Sequence, residues 1–319
     1  MNGAVGGERS RLDDAARAGW LYYVAGNTQD EIARKLGVSR QSAQRLVSLA
    51  VSERLIKVRL DHPIARCMEL SAALRERHNL RLCEVVPSDP AAPGHLAGVA
   101  IVGAAELERL LKSKEPKIIS MGTGRALLAC VEQMPAMECP HHRIVSMLGN
   151  MMSDGAATPY NVVIRMAQRV KARHYPMPLP VLARNPEELA ILHALEPVSN
   201  TLELCRQADI SFVGVGNLDL RAPLVADGFV RPDELRALER AGAIGEITAW
   251  VYDENGQLIH GLTNNRVASA PLDVDATRPV VGIATGTVKA PAIAAALKGR
   301  LINGLITDEA TAQLVLELD

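Results

Sequence analysis

From residue 82 onward, six short runs rich in β-branched and other apolar residues alternate with helical patterns, and no other feature of the chain restricts its fold so strongly. The runs are LCEVVP (82–87), KIISMG (117–122), RIVSMLG (143–149), DISFVGVG (209–216), RPVVGIATG (278–286) and LINGLIT (301–307). Between them, Gly94–Leu111, Arg125–Met134, Pro159–Arg173 and Val288–Leu297 carry apolar residues at helical spacing. Parallel strands need crossovers, and the usual crossover is a helix. The alternation therefore predicts an α/β domain with a mainly parallel sheet covered on both faces. One stretch departs from it: in GEITAWVYDENGQLIHGLT (245–263), Asp253-Glu254-Asn255-Gly256 lies between two extended runs and predicts a β-hairpin.

Several of these strands end in Gly-rich loops that open a helix: Ser120-Met121-Gly122-Thr123-Gly124, Leu148-Gly149-Asn150, Gly214-Val215-Gly216-Asn217-Leu218-Asp219 and Gly282–Lys289. The carboxyl ends of parallel strands share one rim, where ligands occupy a crevice. Glycine lets the backbone approach closely, and helix amino termini offer free N–H groups suited to hydroxyls or phosphate. This nominates Ser120, Gly122, Thr123, Gly124, Arg125, Gly149, Asn150, Gly216, Asp219 and Lys289 as ligand-binding positions. Neither a Walker A motif nor a complete G-x-G-x-x-G fingerprint occurs, so no nucleotide cofactor is expected.

The first 61 residues read differently. Leu12, Ala15, Ala16, Gly19, Tyr22 and Tyr23 recur at helical spacing, and Thr28-Gln29-Asp30-Glu31 has the form of a capping box opening a second helix. Ile32, Ala33 and Leu36 form its apolar stripe, Gly37 stops it, and Ser39 caps a third helix lined by Ala43, Leu46, Val47 and Ala50. Two helices joined by a tight Gly turn are the helix-turn-helix geometry, whose second helix enters the major groove of DNA. On the polar face stand Arg40, Gln41, Gln44 and Arg45, types able to grip guanine and adenine edges with two hydrogen bonds. Thr28, Ser39 and Ser42 complete the candidate DNA-binding set, and Leu55–Leu60 reads as the strand of a wing. Residues 62–79 read as a linker helix, so the expected division is a winged helix-turn-helix at 1–61 and an effector and oligomerisation domain at 62–319.

Charge agrees with that division. The first 61 residues hold ten Lys/Arg against seven Asp/Glu, and the remainder 25 against 29. A small basic module on a larger acidic domain permits DNA binding. Five scattered cysteines without a C-x-x-C pair suit reduced core thiols, and Cys139-Pro140-His141-His142 lacks the ligand spacing of a zinc site. No apolar run approaches the length of a bilayer and no secretory signal is visible, so the expected location is cytoplasmic.

Taken together, "GNTQDEIARKLGVSRQSAQRLVSLAVSERLIKV", "ISMGTGRALLACVEQM", "FVGVGNLD", "GFVRPDELRALERAGAIGEI" and "LINGLITDEATAQLVL" resemble the SorC/DeoR-like sugar-responsive transcriptional regulators. The likeness covers nearly the whole chain, and "LITDEATA" is its most specific part. It implies an effector domain similar to sugar-phosphate isomerases, an effector that is a sugar, polyol or sugar phosphate, and dimers or tetramers on operator DNA. By the same resemblance Gly122, Thr123 and Gly124 cradle the effector, Glu246 accepts hydrogen bonds from sugar hydroxyls, and Lys289 is the basic residue of the site. One departure stands out: Ala126 replaces a threonine common in the family, which removes a hydroxyl donor to phosphate and favours an uncharged sugar or polyol.

The expectation is a DNA-binding regulator of a carbohydrate or polyol catabolic operon, not an enzyme. The competing reading is a sugar-phosphate isomerase or deaminase with a helical cap. It needs an acid/base pair at the rim, for which Asp219, Glu246 and His260 are the nominees.

Overall fold

The computed structural model describes residues 3–53, 55–56, 64–92, 94–152, 155–219 and 222–318. The chain divides into two compact units, Met1–His62 and Pro63–Asp319.

In the first unit α1 (Gly3–Tyr23), α2 (Gln29–Leu36) and α3 (Arg40–Ser52) share a small core of Ala18, Ile32, Ala33, Ala43 and Val47. The capping box forms as expected: Glu31 N–H donates to Thr28 Oγ1 at 3.3 Å, and Glu31 Oε2 accepts the Thr28 N–H at 2.7 Å. Gly37 closes α2 at φ 67°, where a side chain would be strained. Gly19 and Ala15 lie on the buried side of α1, but Ala18 replaces Ala16 there, and Tyr22 and Tyr23 are exposed. Leu55 and Ile56 form a bend, and residues 57–60, the rest of the expected wing strand, lie outside the described residues.

The second unit begins with α4 (Ala65–His78) and β1 (Leu82–Val86). It continues through α5 (Ala97–Leu111), β2 (Ile118–Met121), α6 (Arg125–Gln133), β3 (Arg143–Met151), α7 (Val162–Val170) and β4 (Arg173–Pro180). Helices α8 (Pro186–Ala194) and α9 (Glu196–Arg206) lead to β5 (Ile210–Gly214) and β6 (Gly216–Asn217). After α10 (Pro223–Ala226) and α11 (Pro232–Arg240) come β7 (Ala243–Ile247), β8 (Trp250–Asp253), β9 (Val280–Ile283), α12 (Ala290–Lys298), β10 (Gly304–Asp308) and α13 (Glu309–Leu318).

Seven strands form one sheet in the order β1-β10-β9-β5-β2-β3-β4, and every pairing in it is parallel. Alternate side chains feed two cores. Val145, Val213 and Leu305 face α4, α9, α12 and α13; Ile144, Phe212 and Ile306 face α5, α6 and α7. Strand β4 goes beyond the six runs read from the sequence, because Pro176, Pro178 and Pro180 cannot donate to a ladder; it pairs on one side only, as an edge strand can.

Two expectations are corrected. The helix of residues 65–78 is no free linker: Leu70 and Leu74 are buried in the same core as Ala312 and Val315 of α13, and Ser71 Oγ donates to the Cys83 carbonyl at 2.7 Å. The hairpin exists, but its turn is Thr248-Ala249, joining β7 to β8 in a second, antiparallel sheet with β6. Both turn residues have positive φ, 50° and 70°, as a tight two-residue hairpin demands. The Asp253–Gly256 turn forms one step later and leads only to a single bridge between Tyr252 and Leu258.

Candidate functional site

Strand order locates a crevice. From β2 the chain moves outward through β3 and β4, then returns to place β5 on the other side of β2 and continues through β9 and β10. Crossovers from β2 and β5 thus leave in opposite directions, and space opens beyond their carboxyl ends. A cavity of about 200 Å³ lies there, between Thr123-Gly124-Arg125 after β2 and Gly214-Val215-Gly216 after β5. The β9 loop adds Thr285 and Lys289, and the β7–β8 turn adds Glu246, Thr248 and Ala249. Tyr160, Asp227 and Phe229 complete the wall.

Among the described residues four charged side chains line this cavity, two of each sign: Arg125, Lys289, Asp227 and Glu246. Glu246 Oε2 accepts the Ala249 N–H at 2.9 Å, a hydrogen bond that supports the strained turn. Burial pushes the Glu246 carboxyl up, opposed by that N–H and by the charge of Lys289. Burial likewise draws the Lys289 ammonium down, with Glu246 resisting and Arg125 reinforcing the change. Gly216 leaves room beside them, since a Cβ there would displace the Glu246 carboxylate. Elsewhere in the wall the Tyr160 hydroxyl donates to Asp227 Oδ2 at 3.3 Å. Burial raises the Tyr160 phenol, Asp227 adds to the rise, and Arg125 opposes it.

In the first unit Arg40, Gln41, Gln44 and Arg45 are all exposed on α3, and Ser42 is half-buried. Arg40 Nε lies 3.4 Å from Asp30 Oδ1, an exposed pair that holds the guanidinium only weakly. Thr28 and Ser39 serve first as caps, Ser39 Oγ accepting the Ser42 N–H at 3.1 Å.

Residues 62–317 match the family model described as "Putative sugar-binding domain". The erythritol catabolism regulatory protein EryD of Brucella abortus is 33% identical over 303 residues, covering 95% of this chain and 96% of EryD. This chain belongs to the SorC-type family of sugar-binding transcriptional regulators. The transcriptional regulator LsrR of an Enterobacter species is 29% identical, covering 95% of this chain and 92% of LsrR. The crystal structure of the full-length sorbitol operon regulator SorC from Klebsiella pneumoniae superimposes with a TM-score of 0.69 at 25% identity, covering 96% of this chain and 99% of SorC. The SorC-type chain is thus a transcriptional regulator, and of the acid/base nominees Glu246 lines the cavity while Asp219 and His260 are not among its lining residues.

Within this SorC-type regulator the expected effector residues divide into three groups. Thr123, Gly124, Arg125, Gly216, Glu246 and Lys289 meet in the cavity. Gly122, Gly149 and Asn150 line a smaller neighbouring pocket that shares Thr123, Leu148 and Thr158 with it. Gly149 has a packing reason as well, since a Cβ would strike the backbone of Leu179 and Pro180. Ser120 and Asp219 do not belong. Ser120 points into the sheet, fully buried, and shares a 2.6 Å hydrogen bond with the Ser211 hydroxyl. Asp219 accepts the Asn217 amide at 2.7 Å and lies outside the lining. Tyr160, Asp227 and Phe229 are not among the residues nominated from the sequence: Tyr160 falls in the expected helix 159–173 but precedes α7, and Asp227 and Phe229 sit in the turn after α10.

The LITDEATA stretch is structural support for the site. Asp308, at the end of β10, accepts the Ser88 hydroxyl, and Thr311 Oγ1 accepts the Gly286 N–H at 2.9 Å. Burial works to raise the Asp308 carboxyl, but hydrogen bonds from Ser88, Thr311 and Gly286 outweigh it and hold the group below the usual range. The cysteines and His142 are core residues too. Burial pushes the Cys130 and Cys205 thiols up to about 12, and among the described residues no group of His, Cys, Asp and Glu is placed to hold a metal ion.

Proposed function

We propose that this regulator controls a carbohydrate or polyol catabolic operon, with a winged helix-turn-helix in residues 1–61 reading the operator and the cavity of the 62–319 unit binding the effector. The observation that carries the reading is the cavity at the β2/β5 switch point, where Glu246, Asp227 and Lys289 offer both acceptors and a donor to a small hydroxylated ligand. EryD and SorC are named for erythritol and sorbitol, both polyols, which supports a polyol among the candidate effectors.

Arg40, Gln41, Gln44 and Arg45 make the base contacts, and Thr28, Ser39 and Ser42 stand at the helix starts from which backbone N–H groups reach phosphates. Thr123, Gly124, Arg125, Gly216, Glu246 and Lys289 hold the effector. The protein acts in the cytoplasm as a homodimer or homotetramer on a two-fold operator, with half-sites about 10 base pairs apart or a multiple of this. Effector changes DNA affinity because it binds the two arrangements of the paired heads unequally.

Footprinting of the protein on DNA upstream of its own gene tests this. A protected two-fold site, with occupancy altered by a sugar or polyol, is the expected result. Lack of protection at low salt, with and without metabolite extract, together with conversion of a sugar phosphate, would sink it.

A further inference from the structure

The charges of the cavity say more about its ligand than the fold does. We propose that Asp227 makes the cavity selective for an uncharged polyhydroxylated ligand and against the phosphate esters of that ligand; the proposal rests on the effector reading above. Among the described residues the wall holds as many anions as cations. Lys289 and Glu246 are both half-buried there, and the charge of each opposes the shift that burial imposes on the other. Asp227 Oδ2 accepts the Tyr160 hydroxyl at 3.3 Å, and Arg125 lines the same cavity.

A phosphate monoester would bring a charge of about −1.5 to −2 and oxygens that act mainly as acceptors. Among the described residues it would meet two carboxylates, which also accept only, and no more than two cations. The loop that opens α6 offers little compensation, because the residue after Arg125 is Ala126, whose methyl lines the wall without a hydroxyl. A polyol matches the same wall. Its hydroxyls donate to Asp227 and Glu246 and accept from Lys289 and Arg125, and it leaves no net charge to be buried.

Asp227 is the position to alter, since it is half-buried in the wall and takes no part in the Glu246–Lys289 pair or in the strained turn. Titration calorimetry on the full-length protein would compare matched probes: erythritol, ribitol, sorbitol and glucose, each against its terminal phosphate ester. The native protein should bind at least one free compound, roughly tenfold or more tighter than its ester. Asp227→Asn should narrow that ratio by about tenfold, chiefly by improving the ester, whereas Asp227→Glu keeps it. Tighter binding of an ester by the native protein, or an unchanged ratio in Asp227→Asn, overturns the proposal and leaves the effector reading intact. Failure of every probe, free and esterified, to bind the native protein overturns the effector reading and the selectivity with it.

Discussion

The Ser88 hydroxyl donates to Asp308 Oδ2 at 2.7 Å, and its oxygen also accepts the Ala310 N–H at 2.8 Å, so one serine after β1 ties down the start of α13. Beyond this clamp, Gly94 of the same loop packs against Gly286 of the β9 loop, and both loops contribute to the cavity wall. Asp308→Asn would set an amide N–H₂ against hydroxyl donors. We expect a loss of about 1–3 kcal/mol in thermal unfolding. The acid side carries a sign. The folded-state carboxyl lies below its unfolded value, so its stabilisation is present above about pH 4 and is lost as pH falls through the folded value. The variant should lack that acid-dependent component.

His142 predicts a second pH effect, at higher pH. Its Nδ1 accepts the Lys117 N–H at 3.0 Å, so Nε2 carries the proton and donates to the Leu111 carbonyl at 3.1 Å, leaving a neutral ring. Burial pulls this imidazole down; the Leu111 carbonyl opposes it, and the charges of His141 and Lys117 assist. The unfolded chain therefore takes up the proton first. Its stabilisation is intact above about pH 6.5 and declines as pH falls below that toward the folded value. A His142→Gln variant should show a flatter stability profile between pH 7 and 5 in chemical denaturation, and an unchanged slope would remove His142 as the cause.

Caps and base contacts separate in the first unit. Thr28→Ala removes the capping box and should cost about 1 kcal/mol of stability without altering base preference. Gln44→Ala leaves the fold alone, since its side chain is exposed, and should reduce operator discrimination by about 1–3 kcal/mol. Competition binding with mutated half-sites, alongside melting curves, reads both. Equal base preference in native and Gln44→Ala proteins would take Gln44 out of the interface.

Gly216→Ala tests the site without touching a charge. Its added methyl displaces the Glu246 carboxylate, so effector affinity should fall by roughly tenfold, the worth of one charge-assisted hydrogen bond. Calorimetric titration with the same ligand measures it, and native-like affinity would mean that Glu246 does not touch the ligand.

Much of the fold is legible because its strands are apolar runs and its helices periodic. The six expected strand runs appear as β1, β2, β3, β5, β9 and β10, with β6 at the tail of the fourth. What stays hidden has identifiable causes. Three prolines disguise β4, and its single partner makes them tolerable. The true hairpin turn uses Thr248 and Ala249, residue types that seldom adopt positive φ, while the more turn-like Asp253–Gly256 lies just after it. In the cavity, residues next to Gly-rich strand ends can be nominated by order alone. Ser120 cannot be rejected so simply, because its place next to Gly122 does not reveal that its hydroxyl is taken up by Ser211 on the neighbouring strand β5. Asp227 and Tyr160 come together only through tertiary folding over 67 positions of sequence.

The most direct measurement is an operator titration by fluorescence anisotropy, on native and Lys289→Ala proteins, with and without a saturating polyol. Ligand should change the native protein's DNA affinity by about fivefold or more, a typical coupling of at least 1 kcal/mol. Lys289→Ala should bind operator as tightly as native protein without ligand, yet need far more polyol to show that change. Identical polyol responses in the two proteins, or no response in either, would contradict the assignment of sensing to this cavity.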